Sequence, residues 1–305
     1  MLVDWGGDER RLTDGVSVLV GAANGAYPSG NSVLVRGAGE TVLIDPSVTV
    51  VDKGGPPCAI DAVLNSHAHE DHVAGNGLFP AARVHVHRDD LAGVRDVEGL
   101  MDVYGMLGQA RRDFTKVVIE EFHFAPRPDA EGFVDGQVFD LGGVTVEAVH
   151  LPGHTRGHSG FRISDGVFFL SDIDLTGFGP YYGDAWSDLE DFEASLLQVR
   201  DEEADFYVTF HHKGVIEGRN TFLQMVDDFR AVIDRRHQAM LEFLGEPRTL
   251  DDMVAHRFVY RPHVESMFVL PVERRTASLH LARMRRRGEA VEVEPGSFRR
   301  APGAA

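Results

Sequence analysis

Cysteine is almost absent from this 305-residue chain: Cys58 is the only one, so no internal disulfide can form. It stands between Pro57 and Ala59, outside every motif described below, and reads as a bystander. Long apolar runs are missing too. Nothing approaches the roughly 18 consecutive apolar residues of a membrane-spanning helix, so no membrane partner is expected. The stretch Met1 to Glu9 has neither a basic start nor an apolar core, so it does not read as a secretory signal. Together these absences lead to the expectation of a cytoplasmic protein. Positive charge is also scarce, with a formal net charge of −18. An acidic body disfavours nonspecific attraction to nucleic acid or anionic lipid. The deficit is uneven: between Arg235 and Arg300 there are 13 Arg against 9 Asp and Glu, about +4, leaving about −22 for the remainder. That basic tail is expected to be a solvated helix face.

Val, Leu, Phe and Ile are plentiful enough to bury a core, and the length suits one large domain with an appendage, or two domains. Residues 15–46 alternate as paired strands do, with Gly and Asn turn signals between Val16–Val20, Ser32–Val35 and Thr41–Asp45. Strand-like segments recur at 139–151, 161–170 and 205–210, and helical ones at Leu189 to Glu202 and Thr221 to Leu244. Within residues 88–135 the stretch from Leu91 to Phe122 is mostly helix-compatible, with Met101, Tyr104, Met106, Leu107 and Phe114 as apolar anchors, and this insertion is a candidate substrate wall or lid. Residues 235–305 read as a separate small unit. Within it Thr249 caps a short helix with acids in its first turn, Thr276 to Arg287 is a strong helix, and Ala290 to Val293 is a strand.

The densest chemistry is His67-Ala68-His69-Glu70-Asp71-His72, four ligating side chains within six positions of a turn. Imidazole and carboxylate together suit Zn²⁺, Fe or Mn²⁺, and there are too many donors for one tetrahedral ion that keeps an open position. The buried-looking strand Ile60 to Leu64 precedes the motif and a glycine-punctuated segment follows it. This places the donors at a strand's carboxyl end, where α/β sites tend to form. Further on come Pro152-Gly153-His154-Thr155-Arg156-Gly157-His158, then Leu170-Ser171-Asp172, then Phe210-His211-His212-Lys213-Gly214-Val215-Ile216. His85 and His87 alternate along a strand-like segment and read as a strand face rather than ligands.

His67-x-His69-x-Asp71-His72, followed in order by the other three segments, resembles the signature of the metallo-β-lactamase-fold hydrolases. The resemblance covers about residues 15–230. It implies an α/β four-layer αββα sandwich over residues 1–234, each sheet hiding one face against the other and one against helices. More weakly, residues 235–305 resemble the winged-helix tail of one branch, expected to pack on the catalytic domain or form a homodimer contact.

By the same resemblance, His67, His69 and His154 hold one metal ion, and Asp71, His72 and a last histidine hold a second. Asp172 bridges, with Ser171 where the family usually has glycine. His212 fits the final family spacing better, and His211 remains the alternative. Two divalent ions, Zn first with Fe or Mn as alternatives, would share a hydroxide that attacks a small ester, lactone, thioester or amide. Asp71 is the candidate that orients it and shuttles a proton. Asp45, His158, Tyr181, Tyr182 and His211 are candidates for supporting the ligands or touching substrate, while Glu70 is expected to face solvent. A metal-dependent nuclease and an iron-dependent persulfide oxygenase are the alternative activities. Nucleic acid is the less favoured partner, given the acidic body, and a small molecule the favoured one.

Overall fold

The computed structural model describes residues 3–303. Its first sheet has seven strands in chain order: Glu9–Arg11, Val16–Leu19, Ser32–Arg36, Thr41–Ile44, Ala62–Asn65, Arg83–His87 and Glu131–Phe133. The first four pair antiparallel and the last three add in parallel. The second sheet runs Val138–Asp140, Thr145–His150, Ser159–Ile163, Val167–Ser171, Phe206–Thr209 and Val215–Glu217. Only the Val167–Ser171 and Phe206–Thr209 pair is parallel, and the helix Leu189–Val199 lies in the crossover between them.

Period-two alternation explains why the sheets stack. Val16, Val18, Val33, Val35, Val42 and Ile44 point one way and meet Val146, Ala148, Phe161, Ile163, Phe169 and Val208 of the other sheet. Their neighbours in sequence point outward to helices. Phe168, Leu170 and Tyr207 join Phe192, Leu196, Phe222 and Phe229 on one side. Val63, Val84 and Val86 join Val94, Leu100 and Phe114 on the other. Each fully buried aliphatic or aromatic side chain contributes about 1.5–3 kcal/mol. The result is the αββα sandwich.

Residues 88–135 supply the helices Leu91–Arg95, Val97–Tyr104 and Gly108–Glu120, then return to complete the first sheet at Glu131–Phe133. The helix Arg219–Phe243 runs unbroken through 234 and 235, so the sandwich and the C-terminal unit share it. Its last turns join the helices Leu250–His256 and Val269–Arg287 and a three-stranded sheet around a separate core of Met240, Leu244, Met253, Leu281, Met284 and Phe298. Thr249 caps its helix through a reciprocal box with Asp252.

Polar contacts clasp this unit to the sandwich. The buried Arg283 pairs with Glu190 and Glu193, Arg275 donates to the Ser187 carbonyl at 2.6 Å, and Tyr182 Oη lies 2.9 Å from His280 Nε2. Among the described residues, no helix is long and apolar enough to cross a membrane.

Candidate metal centre

The site forms where the loops after four strands converge. Ala62–Asn65 delivers the 66–72 loop, and Asn65 Nδ2 donates to the His72 carbonyl at 3.0 Å, tying the loop's end to its start. Thr145–His150 delivers His154, Val167–Ser171 delivers Asp172, and Phe206–Thr209 delivers His211.

Two groups of donor atoms result. In the first, His69 Nδ1 lies 2.9 Å from His67 Nε2 and 3.0 Å from His154 Nε2, and His154 Nε2 lies 3.2 Å from Asp172 Oδ2. These spacings are close to the edge of about 3.3 Å expected for a tetrahedron with metal–nitrogen bonds of about 2.0 Å. In the second, His211 Nε2 lies 3.0 Å from Asp71 Oδ2, and His72 Nε2 lies 3.9 Å from Asp71 Oδ1 and 3.0 Å from Asp172 Oδ1. Asp172 thus offers one oxygen to each group.

His72 Nε2, Asp71 Oδ2 and Asp172 Oδ1 are buried and lack a hydrogen-bond partner among the described residues. Unpaired buried polar atoms are costly, and several aimed at one point fit a cation that satisfies them together.

Four rings of the site are oriented by a hydrogen bond to a ring nitrogen. His72 Nδ1 donates to Asp45 Oδ2 at 2.8 Å, and Asp45 also accepts from the Ser66 amide and hydroxyl. His154 Nδ1 donates to the Tyr181 carbonyl at 2.9 Å. His211 Nδ1 faces the carbonyls of Gly25 and Ser29 at 2.9 and 3.0 Å. His158 Nδ1 donates to the Leu151 carbonyl, while its Nε2 accepts from the Asp172 amide at 3.3 Å, so His158 braces the loop that carries Asp172.

Burial opposes charge on His67, His72, His211 and Asp172, and the outcome depends on the neighbours. It drives His67 well below the usual histidine range, reinforced by His72, His69 and His154. For His72 and His211 the nearby carboxylates outweigh burial. Asp172, Asp71 and Asp45 hold His72 well above the usual range, and Asp172 and Asp71 raise His211 to about 9. Against its own burial, Asp172 is held well below the usual carboxylate range by His72 and His211.

The family model of the metallo-beta-lactamase superfamily matches residues 27–228. The chain belongs to this superfamily. Its similarity to an atrochrysone carboxyl ACP thioesterase of Passalora fulva is 28% identity over 243 residues, 76% of this chain and 63% of that one. A hydroxyacylglutathione hydrolase of Prochlorococcus marinus (strain MIT 9211) is 26% identical over 135 residues, 42% of this chain and 41% of its own. The thioesterases it matches are longer, and the aligned part spans less than two thirds of each. A metallo-beta-lactamase family protein from Thermus thermophilus superposes with a TM-score of 0.70 at 22% identity, covering 95% of this chain and 100% of that one. A beta-lactamase domain protein from Burkholderia ambifaria gives 0.71 at 18% identity, covering 97% and 94%. These two structures share the fold nearly end to end, C-terminal unit included.

Within the superfamily frame, the geometry corrects three expectations. His211, not His212, joins Asp71 and His72. The strand ends at Thr209, His212 takes a left-handed backbone (φ 56°), and Gly214 follows at φ 62°. This tight turn leaves His211 buried against Phe210 and leaves His212 exposed at the rim. Tyr182 does not face the cleft: it is buried under the C-terminal unit with its hydroxyl on His280. Tyr181 does line the cleft, and its hydroxyl donates to Asp184 Oδ1 at 3.1 Å. Glu70 is buried rather than solvent-facing, and accepts from the hydroxyls of Tyr27 and Tyr104.

Sequence reasoning missed four residues of the site. Asp90, fully buried, accepts from the Ala68 amide (3.1 Å), the Thr155 hydroxyl (2.6 Å) and the Gly157 amide (2.7 Å), cross-linking the two histidine loops. Asp184 Oδ2 lies 3.2 Å from His69 Nε2, on the side of the ring away from the donor cluster. Tyr260 and Phe268 of the C-terminal unit reach the cleft wall. No local motif marks any of them. His87 and His150, with Asp89, form a separate cluster. There the rings stack at 4.0 Å and 7°, so their in-plane lone pairs run parallel instead of converging on an ion.

Proposed function

We propose that this chain is a dinuclear metal-dependent hydrolase of a small acyl substrate, with a thioester as the leading class and an ester, lactone or amide as close alternatives. The observation that carries the reading is Asp172, whose two carboxylate oxygens are divided between the two donor groups. His67, His69 and His154 would hold one ion and Asp71, His72 and His211 the other, with Zn²⁺ favoured by the imidazole-rich donor set. When bound, the metal pair supplies an activated water and the positive charge that stabilises an oxyanion.

The chain's own residues do the rest. Asp71 is a buried carboxylate beside His211, placed to orient the attacking water and to accept its proton. Tyr104 stacks on the His69 ring at 5.0 Å and, with Tyr27, holds Glu70, limiting water at the floor of the cleft. The thioester class draws on relatives named as a thioesterase and as a hydrolase of hydroxyacylglutathione. A nuclease role is disfavoured because no Lys or Arg is among the described residues lining the cleft.

The test is metal analysis of the purified chain beside a panel of thioesters, esters, lactones and RNA. Two metal equivalents with thioester turnover support the reading. Turnover that persists after complete metal removal sinks it.

A further inference from the structure

The cleft beside the donor groups is a cavity of about 320 Å³. Its wall carries six aromatic side chains: Tyr27, Tyr104, Phe178, Tyr181, Tyr260 and Phe268. Three of the four tyrosine hydroxyls are already bonded to carboxylates of the protein, those of Tyr27 and Tyr104 to Glu70 and that of Tyr181 to Asp184. Ring surface is therefore what much of the wall has left to offer a ligand. The remaining charge is of one sign. Glu70, Asp174 and Asp184 line the cavity in addition to the donor carboxylates, and no Lys or Arg does among the described residues.

The guanidinium of Arg236 stands close behind the wall and is committed elsewhere. It lies 5.3 Å from the Phe178 ring and donates to the carbonyls of Phe178 and Pro180 at 2.6 Å each. Gly179 packs so closely on Val232 that an added Cβ would sit 2.4 Å from it. This side of the cleft is thus built against a fixed helix rather than left as a loose loop. Elsewhere on the wall, Phe268 packs edge-on against Phe114 at 5.1 Å and lies 6.3 Å from Tyr104. Tyr260 completes the wall 5.7 Å from Phe178. Both of these residues come from the segment between the helices Leu250–His256 and Val269–Arg287.

We propose that the cleft selects an uncharged acyl group bearing an aromatic ring, and that Tyr260 and Phe268 make the C-terminal unit a specificity element of the active site. The proposal rests on the hydrolase reading for the word acyl; the choice of ring over charge rests on the wall alone. An acyl chain ending in a carboxylate would meet carboxylates with no cation to offset them beyond the metal-binding position, and burying it there carries the full desolvation cost. A flat ring instead gains face and edge contacts with the aromatic wall. The volume lies at the lower end of the range for small-molecule sites, about 300–1,000 Å³. That favours a small ring system over a long chain.

The experiment uses the metal-loaded chain and S-acyl-N-acetylcysteamine thioesters that share one leaving group and differ in acyl part: phenylacetyl, acetyl and succinyl. The expected result is a kcat/KM for phenylacetyl at least about tenfold above acetyl and further above succinyl, in line with one well-filled apolar pocket. Tyr260→Ala and Phe268→Ala should each cut the phenylacetyl-to-acetyl ratio about fivefold or more with metal content unchanged.

A parallel binding arm measures phenylacetamide and succinamate by saturation-transfer NMR. If no thioester is cleaved but phenylacetamide binds selectively and Phe268→Ala abolishes that binding, the hydrolase reading fails and the cleft assignment stands. Succinyl turnover equal to phenylacetyl, or ratios within about twofold of wild type in both variants, overturns the assignment. Absence of selective phenylacetamide binding overturns it as well.

Discussion

His211 Nε2 lies 3.0 Å from Asp71 Oδ2, while its Nδ1 faces the carbonyls of Gly25 and Ser29. The ring is therefore fixed from behind and directed at the donor cluster, whereas His212 is exposed at the rim. His211→Ala should lose about one of two metal equivalents and at least about 100-fold in turnover, since a missing ligand removes both charge and position. His212→Ala should keep both equivalents. Mass spectrometry of the native proteins decides it, and metal loss confined to the His212 variant would reverse the assignment.

Asp172 tests the pairing of the two sites. A carboxylate between two cations offsets their repulsion, so Asp172→Ala should bind a single equivalent and weaken the second by about 100-fold or more. Because Asp172 is at a loop end while the sandwich core is built from strand residues such as Val33, Val146 and Phe161, folding should survive. Calorimetric metal titration with circular dichroism checks both halves of the claim. Two undiminished binding events in the variant would remove Asp172 as the bridge.

How far the sequence disclosed this site depends on whether a function is carried by local spacing. His67, His69, Asp71 and His72 share one turn and stand out as a cluster, while His154 and Asp172 each follow a strand and were picked out by the resemblance to the family's ordered motifs. The sandwich was legible for the same reason: runs such as Val33-Leu34-Val35 and Phe168-Phe169-Leu170 present alternate faces to two different cores. His211 was misjudged because strand alternation ends at Thr209, and the left-handed turn at His212 decides which ring goes inward. Asp90, Asp184, Tyr260 and Phe268 were illegible because each acts on residues distant in the chain, 65 positions away for Asp90 and Thr155. The tail of basic residues was only partly a solvated face: Arg283 is buried against Glu190 and Glu193.

Asp90 should matter for stability and for metal affinity together. Removing its carboxylate leaves the Ala68 amide, the Thr155 hydroxyl and the Gly157 amide without their acceptor in the interior. Asp90→Ala should cost about 3 kcal/mol, the scale for stranding several buried donors. Asp90→Asn retains the shape and should cost less. Urea melts in the presence of chelator give the stability change, and metal titration of the folded variants gives the affinity. An Asp90→Ala melt within about 1 kcal/mol of wild type would show that the cross-link between the two histidine loops is idle.

The histidines also fix the sign of the pH dependence. In the metal-free protein, His211 is raised to about 9 and His72 well above its usual range by the surrounding carboxylates. A group raised on folding contributes stability that is complete below its unfolded pKa, about 6.5 for histidine, and that fades as pH climbs through the folded value. Asp71 and Asp172 are shifted downward, so their contribution changes only at acid pH. His67 and His158 are also lowered and are neutral in both states above about pH 7.5. Between about pH 7 and 9.5 the metal-free protein should therefore lose about 5 °C or more in Tm. With stoichiometric Zn²⁺ the trend should be weaker or opposite, because ligating imidazoles must shed their protons and metal affinity rises with pH. Differential scanning fluorimetry across that range, with chelator and with metal, reads both slopes. Parallel slopes in the two conditions would mean that protons and metal do not compete for His72 and His211.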